Sequence, residues 1–316
     1  MPTITAQADG NWSNPATWTG GSVPGDGDTA DLNGHTVTMD ITTAPASGTL
    51  AGLVSPGTAG RLSLDMGGAT NYTINADVIT AGTKSGGLLY VTGAAASGTL
   101  TINGDVTGGS GASAYGFLTS STGDHVINGN VTGGSGSASH GAYLNTTTGT
   151  LEINGDVAGG SGSGNGVFHY GAVTVTGNVT GGSGAGAYGV RVVTPGASLE
   201  VVGNVQAGTY LNNWGVYNSG AGTVTITGNL INGAVEVAYA GGPFTWNAAA
   251  DHYIDLTGGQ RAAAEVDEDD LIEGVQNGQV TGVYHEATVA EVQDGVMFGP
   301  NQSLEGAYKA VIVIED

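Results

Sequence analysis

Ile102-Asn-Gly-Asp-Val106, followed by Thr107-Gly-Gly-Ser-Gly111, is one copy of a phrase that returns through most of the chain. Aligned on its last apolar residue, the copies fall at Val78, Val106, Val131, Val157, Val179, Val205 and Leu230, in steps of 28, 25, 26, 22, 26 and 25 residues. Self-similarity at such a period marks a solenoid. Each repeat is one unit that buries its apolar face only by stacking on its neighbours.

The residues before the anchor alternate with period two. Four positions upstream lie Ile74, Ile102, Ile127, Ile153, Val175, Val201 and Ile226. Six upstream lie Tyr72, Leu100, His125, Leu151, Val173, Leu199 and Val224. Between them stand Thr73, Thr101, Val126, Glu152, Thr174, Glu200 and Thr225. Apolar residues alternating with mostly polar ones describe a strand with one buried face. A corner follows, with glycine at 104, 129, 155, 177, 203 and 228, then Asp77, Asp105, Asn130, Asp156, Asn178, Asn204 or Asn229. Both residue types suit a bent or left-handed backbone.

A second glycine confirms the frame. Gly116, Gly141, Gly166, Gly189 and Gly215 follow their anchors by nine or ten residues. They precede Phe117, Ala142, Val167, Val190 and Val216, which the alternation turns inward. Each copy therefore reads as one coil of two or three short strands. Stacked coils satisfy the backbone hydrogen bonds of the whole column. The expected fold is all-β, a single-stranded parallel β-helix of ~25 residues per coil. The crossover rule predicts a right-handed one.

The ends differ. Residues 1–48 hold Trp12 and Trp18, two of the four tryptophans, and are predicted to cap the column. The helix is placed over 49–258. The last 58 residues, 259–316, carry 12 of the 27 acidic residues, Asp267-Glu-Asp-Asp270 among them, and are expected to form a small α+β module.

Composition narrows the function. The net charge is −22, with Arg61, Lys84, Arg191, Arg261 and Lys309 as the only basic residues. Nucleic-acid binding requires cations to neutralise phosphates, and is rejected. An anionic membrane surface is disfavoured for the same reason. No stretch approaches ~18 apolar residues, so membrane insertion is not expected. Cysteine is absent, which leaves the redox compartment unread. The first residues have neither a basic nor an apolar leader region, so synthesis in a cytoplasm without a signal peptide is expected.

Two segments resemble known proteins. The opening, Gly10-Asn-Trp-Ser-Asn-Pro-Ala-Thr-Trp18 through Val23-Pro-Gly-Asp-Gly-Asp28 to Asn33-Gly-His-Thr-Val37, looks like the start of bacterial and phage surface β-helices. The tail, Ala290-Glu-Val-Gln-Asp-Gly-Val-Met-Phe-Gly-Pro300 followed by Leu304-Glu-Gly306, is similar to a short module of phage virion proteins. Together with the glycine-rich coils, the chain resembles a phage structural β-helix protein of the head-decoration, fibre or tailspike kind. The resemblance implies a homotrimer on a virion surface, held to other virion proteins by a terminal domain. It implies no cofactor.

Chemistry is sparse. Glu152 and Glu200 point outward from the same strand position, two coils apart. That places them roughly 10 Å from each other, near the spacing of inverting glycosidases. Solvent-facing strand positions account for both. Asp77, Asp105 and Asp156 alternate with asparagine, as turn residues do. Asp26, Asp28 and Asp31 could offer oxygens to a hard cation, but Ala30 stands where an EF-hand needs a ligand. No catalytic or metal residue is assigned. His125 replaces an inward leucine and reads as a hydrogen-bonded core histidine. A flat threonine array for ice binding is broken by Val126, Glu152 and Glu200.

The aromatic residues are more informative. Tyr115, His140, Asn165, Tyr188 and Trp214 precede the second glycine. Leu118, Tyr143, Phe168, Arg191 and Tyr217 lie two residues after it. Alternation turns both sets outward, into a ribbon along the column. Tyr115, Tyr143, Phe168, Tyr188, Trp214 and Tyr217 are therefore the candidate interaction residues. The ribbon is either a seam between subunits or a face for host glycan. A one-residue slip would instead put it in the core. The expected function is a non-enzymatic phage virion protein, a trimeric capsid decoration or fibre. The alternatives are a tailspike-type polysaccharide-degrading enzyme and a bacterial surface adhesin.

Overall fold

In a computed structural model the chain is a parallel β-solenoid. The structure describes residues 2–246 except 47, 56–59, 66–69, 81–88, 93–97, 211–212, 221, 232–234 and 238–243. The predicted C-terminal module lies outside the described residues.

Each regular rung carries three short strands. The rung around residue 150 shows the plan. Ala142–Leu144, Thr150–Ile153 and Val157–Ala158 each pair in parallel with the corresponding strand of the rungs on either side. Ala142–Leu144 belongs to a ten-stranded sheet, and the other two belong to a 17-stranded sheet. We call the three surfaces the aromatic face, the long face and the short face, in chain order.

The column begins near the amino end. Thr3–Thr5 pairs with Thr29–Asp31, and Gly10–Asn11 with Val37–Thr38, all in parallel. Trp12 and Trp18 are fully buried there, edge to face at 5.1 Å, and the Trp18 indole donates to the Trp12 carbonyl at 2.8 Å.

The inward positions agree with the alternation. Leu100, His125, Leu151, Val173, Leu199 and Val224 form one buried stack. Ile102, Ile127, Ile153, Val175, Val201 and Ile226 form a second, and the anchors from Val106 to Leu230 a third. Phe117, Ala142, Val167, Val190 and Val216 line the inside of the aromatic face. Burial of each large side chain stabilises by about 1.5–3 kcal/mol, and the stacks add that term rung by rung.

Two details depart from the sequence reading. The strand Tyr72–Thr80 carries an extra residue, so Val106 pairs with Ile79 and Asp105 lies opposite Val78. The first anchor is thus Ile79 rather than Val78, and Asp77 is not aligned with Asp105. A bulge of one residue produces this shift.

The corner glycines differ in their reason. Positive φ occurs at glycines 20, 21, 27, 34, 48, 149, 186 and 196, not at the recurring corners. What the corners demand is close approach. A Cβ on Gly134 would be driven into the Gly109 carbonyl, one on Gly160 into that of Gly134, and one on Gly182 into that of Gly160. Gly129, Gly155, Gly177, Gly203 and Gly228 meet the rung before them in the same way.

The Asp/Asn position also has a definite task. The Asp105 carboxylate accepts from the Asn130 backbone N–H at 2.8 Å. The Asn130 side chain accepts from Asp156, Asp156 from Asn178, Asn178 from Asn204, and Asn204 from Asn229, at 2.7–3.0 Å. Only a side-chain oxygen is needed, so aspartate and asparagine interchange. Beside it runs an amide ladder, in which Asn103 donates to Asn75, Asn128 to Asn103 and Asn154 to Asn128. We expect Asp156→Asn to leave the melting temperature nearly unchanged. Asp156→Ala should lower stability by about 1 kcal/mol, measured by thermal unfolding, because the Asn178 N–H loses its acceptor.

Candidate functional site

The aromatic face is built by one recurring element. A glycine lets each strand approach the next rung; the residue two places after it turns out of the core, and so do Tyr115, Tyr188 and Trp214 before it, whereas His140 and Asn165, expected outward at the same position, are buried. Tyr115, Tyr143, Phe168, Tyr188, Trp214 and Tyr217 are all half-buried, and the structure brings them together as one ribbon. Tyr143, Phe168, Arg191 and Tyr217 are in register on successive strands.

The rings pack on one another along the column. Tyr143 and Phe168 stack at 4.8 Å and 10°, and Tyr188 and Trp214 at 5.2 Å and 9°. Tyr115 stacks on His140 at 5.3 Å. Neighbouring contacts are edge to face or tilted, including Tyr143 with Tyr115 and Tyr217 with Trp214. In each stacked pair a ring spends one face on its neighbour in the next rung. Such contacts add ~0.5–1.5 kcal/mol each beyond area burial.

Arg191 joins the two halves of the ribbon. Its guanidinium carbon lies 4.9 Å from the centroid of Phe168 and 5.5 Å from that of Tyr217. Cation–π attraction of this kind contributes ~0.5–2 kcal/mol. Among the described residues Arg191 has no carboxylate partner. Burial raises the Tyr143 phenol far above its ordinary range, with Tyr170 beside it as a second cause. That hydroxyl stays protonated and donates to Asn145 at 3.3 Å.

Between Leu100 and Ile231 charge is segregated between faces. From Leu100 to Ile231 the carboxylates are Asp105, Asp124, Glu152, Asp156 and Glu200, and the only Lys or Arg is Arg191. All five acids lie in the long-face strands or in the corner that follows them. No acid lies in the aromatic-face strands Phe117–Thr119, Ala142–Leu144, Val167–His169, Val190–Val192 and Val216–Asn218, and the next strand of that sheet, Val235–Val237, brings Glu236 opposite Tyr217.

The long face holds a shallow depression of about 430 Å³. Glu152, Thr174, Glu200 and Thr225, in register on four rungs, run through it, with Ala172 and Ser198 alongside. The two glutamates are exposed, and Glu152 accepts from the Asn154 amide at 3.0 Å. The alternation placed both of them outward. That they share one hollow follows from the small Ala172 and Thr174 between them, which a one-dimensional spacing does not show.

The remaining candidates have structural duties. His125 is buried between Leu100 and Leu151, and its Nε2 meets the Thr119 hydroxyl at 2.9 Å. Asp26 accepts from the Thr49 N–H, Asp28 from Gly25 and Asp31 from Asn33. These three carboxylates are used separately. Among the described residues no group of three or more His, Asp or Glu is arranged to hold a metal.

Sequence reasoning missed the second inward position of the aromatic face. It holds Thr119, Leu144, His169, Val192 and Asn218, all buried. The signal was present two residues beyond Phe117, Ala142, Val167, Val190 and Val216. His169 bonds to the Gly171 carbonyl at 2.9 Å, and the Asn218 side chain closes a turn through two bonds with Gly222.

Among the described residues no helix is long and apolar enough to cross a membrane. No protein family, no curated protein and no solved structure matches the chain.

Proposed function

We propose that this chain is a non-enzymatic structural protein of a phage particle. In this reading it is made in the host cytoplasm and assembles as a trimeric capsid decoration or fibre on the virion surface. Its right-handed column projects outward, and a terminal region attaches it to other virion proteins. The tryptophan-bearing segment 1–48, whose strands form the first rungs, closes that end of the column.

The observation that carries the reading is where the polar side chains go. Asp105, Asn130, Asp156, Asn178 and Asn204 each bond to the following rung, and Asn75, Asn103, Asn128 and Asn154 bond to one another. Groups that could do chemistry are spent on holding rungs together. The aromatic face remains as the surface suited to a partner.

One observation favours the enzymatic alternative. Glu152 and Glu200 share the long-face depression at the roughly 10 Å spacing that suits an acid and a base with a water between them. No Lys or Arg lies in that hollow to stabilise a developing oxyanion. The two readings separate in one assay. Incubation with host capsular polysaccharide should release no oligosaccharide. Release that disappears in Glu152→Gln and Glu200→Gln would replace the structural reading with the enzymatic one.

A further inference from the structure

We infer that the aromatic face of one subunit docks onto the long-face depression of a second copy of this chain, with Arg191 set against Glu200. The inference rests on the oligomer proposed above and names its seam.

The two rows lie at matching heights. Arg191 and Glu200 belong to consecutive strands, Val190–Val192 and Ser198–Val201, of one rung. The same holds for Tyr143 and Glu152, for Phe168 and Thr174, and for Tyr217 and Thr225. Rotation about an axis along the column keeps every rung at its own level in a closed ring of subunits. The projecting row Tyr143, Phe168, Arg191, Tyr217 then faces the row Glu152, Thr174, Glu200, Thr225 rung for rung.

The two rows complement each other at each level. Arg191 meets the Glu200 carboxylate. The Tyr143 hydroxyl, held protonated by burial, meets that of Glu152. Phe168 meets the small Thr174 and Ala172 at the floor of the hollow. Within one subunit Arg191 and Glu200 lie on different faces and form no ion pair. A seam in which aromatic faces met each other would instead bring unpaired Arg191 side chains together, and burying an unpaired charge is costly.

Ring stacking also favours a protein partner over a sugar. A sugar stacks on the open face of an aromatic ring. Here Tyr143 and Phe168, and Tyr188 and Trp214, each spend one face on the other, and Arg191 sits over the ring of Phe168. The edges of stacked rings suit a protein surface with oxygens opposite them, since the ring edge is the positive end of its quadrupole. Thr174, Glu200 and Thr225 supply such oxygens.

Solution mass of the full chain tests the seam. The wild type should run as a multiple of 31.0 kDa. Arg191→Glu and Glu200→Arg should each weaken assembly at least 100-fold and yield monomer with unchanged circular dichroism. The double charge swap should restore the oligomer. Glu200 is exposed, so Glu200→Arg remains informative if Arg191→Glu folds poorly. Because the chain has no cysteine, Arg191→Cys combined with Glu200→Cys should give covalent multimers on oxidation. An oligomer that survives both single reversals overturns this seam and leaves the proposed trimer standing. A wild type that is monomeric at every concentration overturns the trimer as well. A monomer retained on an acidic polysaccharide through Arg191 overturns the seam in favour of a glycan face.

Discussion

Acidification from pH 7 to pH 4.5 should unfold this protein, with His125, His140 and His169 as the main cause. All three are buried, and burial lowers each from 6.5 to about 4. His125 meets Thr119 through Nε2, His169 meets the Gly171 carbonyl through Nδ1, and His140 accepts from the Asn165 N–H at 2.9 Å. A proton on His140 Nδ1 would abolish that last bond.

The direction follows from linkage. Above pH 6.5 the histidines are neutral in both folded and unfolded chains, and the full stability is present. As pH falls from 6.5 towards 4, the unfolded chain binds protons that the folded chain refuses, so stability is lost. The loss is about 1.4 kcal/mol per pH unit per histidine, or roughly 3 kcal/mol each across the window. Neutralising the −22 net charge at low pH relieves self-repulsion and acts the other way, so the slope must be assigned by substitution. His125→Leu suits a stack flanked by Leu100 and Leu151, and His169→Val suits a neighbour of Val192. Melting temperatures measured from pH 7 to pH 4.5 should fall less steeply in each variant and least in the pair. Parallel curves for all variants would refute the assignment.

Gly160→Ala should destabilise by about 3 kcal/mol or more. The added methyl would enter the Gly134 carbonyl and press the Ser139 Cβ at 2.8 Å. Both neighbours belong to other parts of a stacked backbone, so relief requires rungs to separate. Gly186→Ala is the control. It has φ of +74° and open space around the new methyl, so its cost is the ~1–2 kcal/mol of a left-handed residue alone. Thermal unfolding by circular dichroism should rank Gly160→Ala well below Gly186→Ala. A reversed ranking would mean that conformation, not close approach, selects the corner glycines.

Much of the fold was legible because a coil writes its inside and outside into local spacing. Leu100 and Ile102 recur as inward residues in every later rung. The second glycine told Phe117 from Leu118, and so placed the aromatic ribbon outside. What stayed hidden lies between rungs. Val78 and Ile79 are both apolar, so no local pattern reveals which of them pairs with Val106. The reason for glycine at position 160 sits at Gly134, a rung away. The hollow between Glu152 and Glu200 depends on the small side chain of Ala172. His169 and Asn218 were overlooked because polar residues were assigned to solvent, although Gly171 and Gly222 satisfy them inside.

The side-chain hydrogen bonds of the corner point one way, opposite to the backbone bonds beside them, in which Val106 donates forward to the Asn130 carbonyl and Val131 to that of Asp156. Asp105 accepts from Asn130, which accepts from Asp156, and so on to Asn229, always from the later rung to the earlier. The column therefore has a polarity that its parallel strands alone would not announce. During synthesis each completed rung displays an oxygen that waits for the N–H of the segment still to emerge. The finished part acts as a template for the next, so folding can advance with the ribosome, one rung at a time, without waiting for the chain to end.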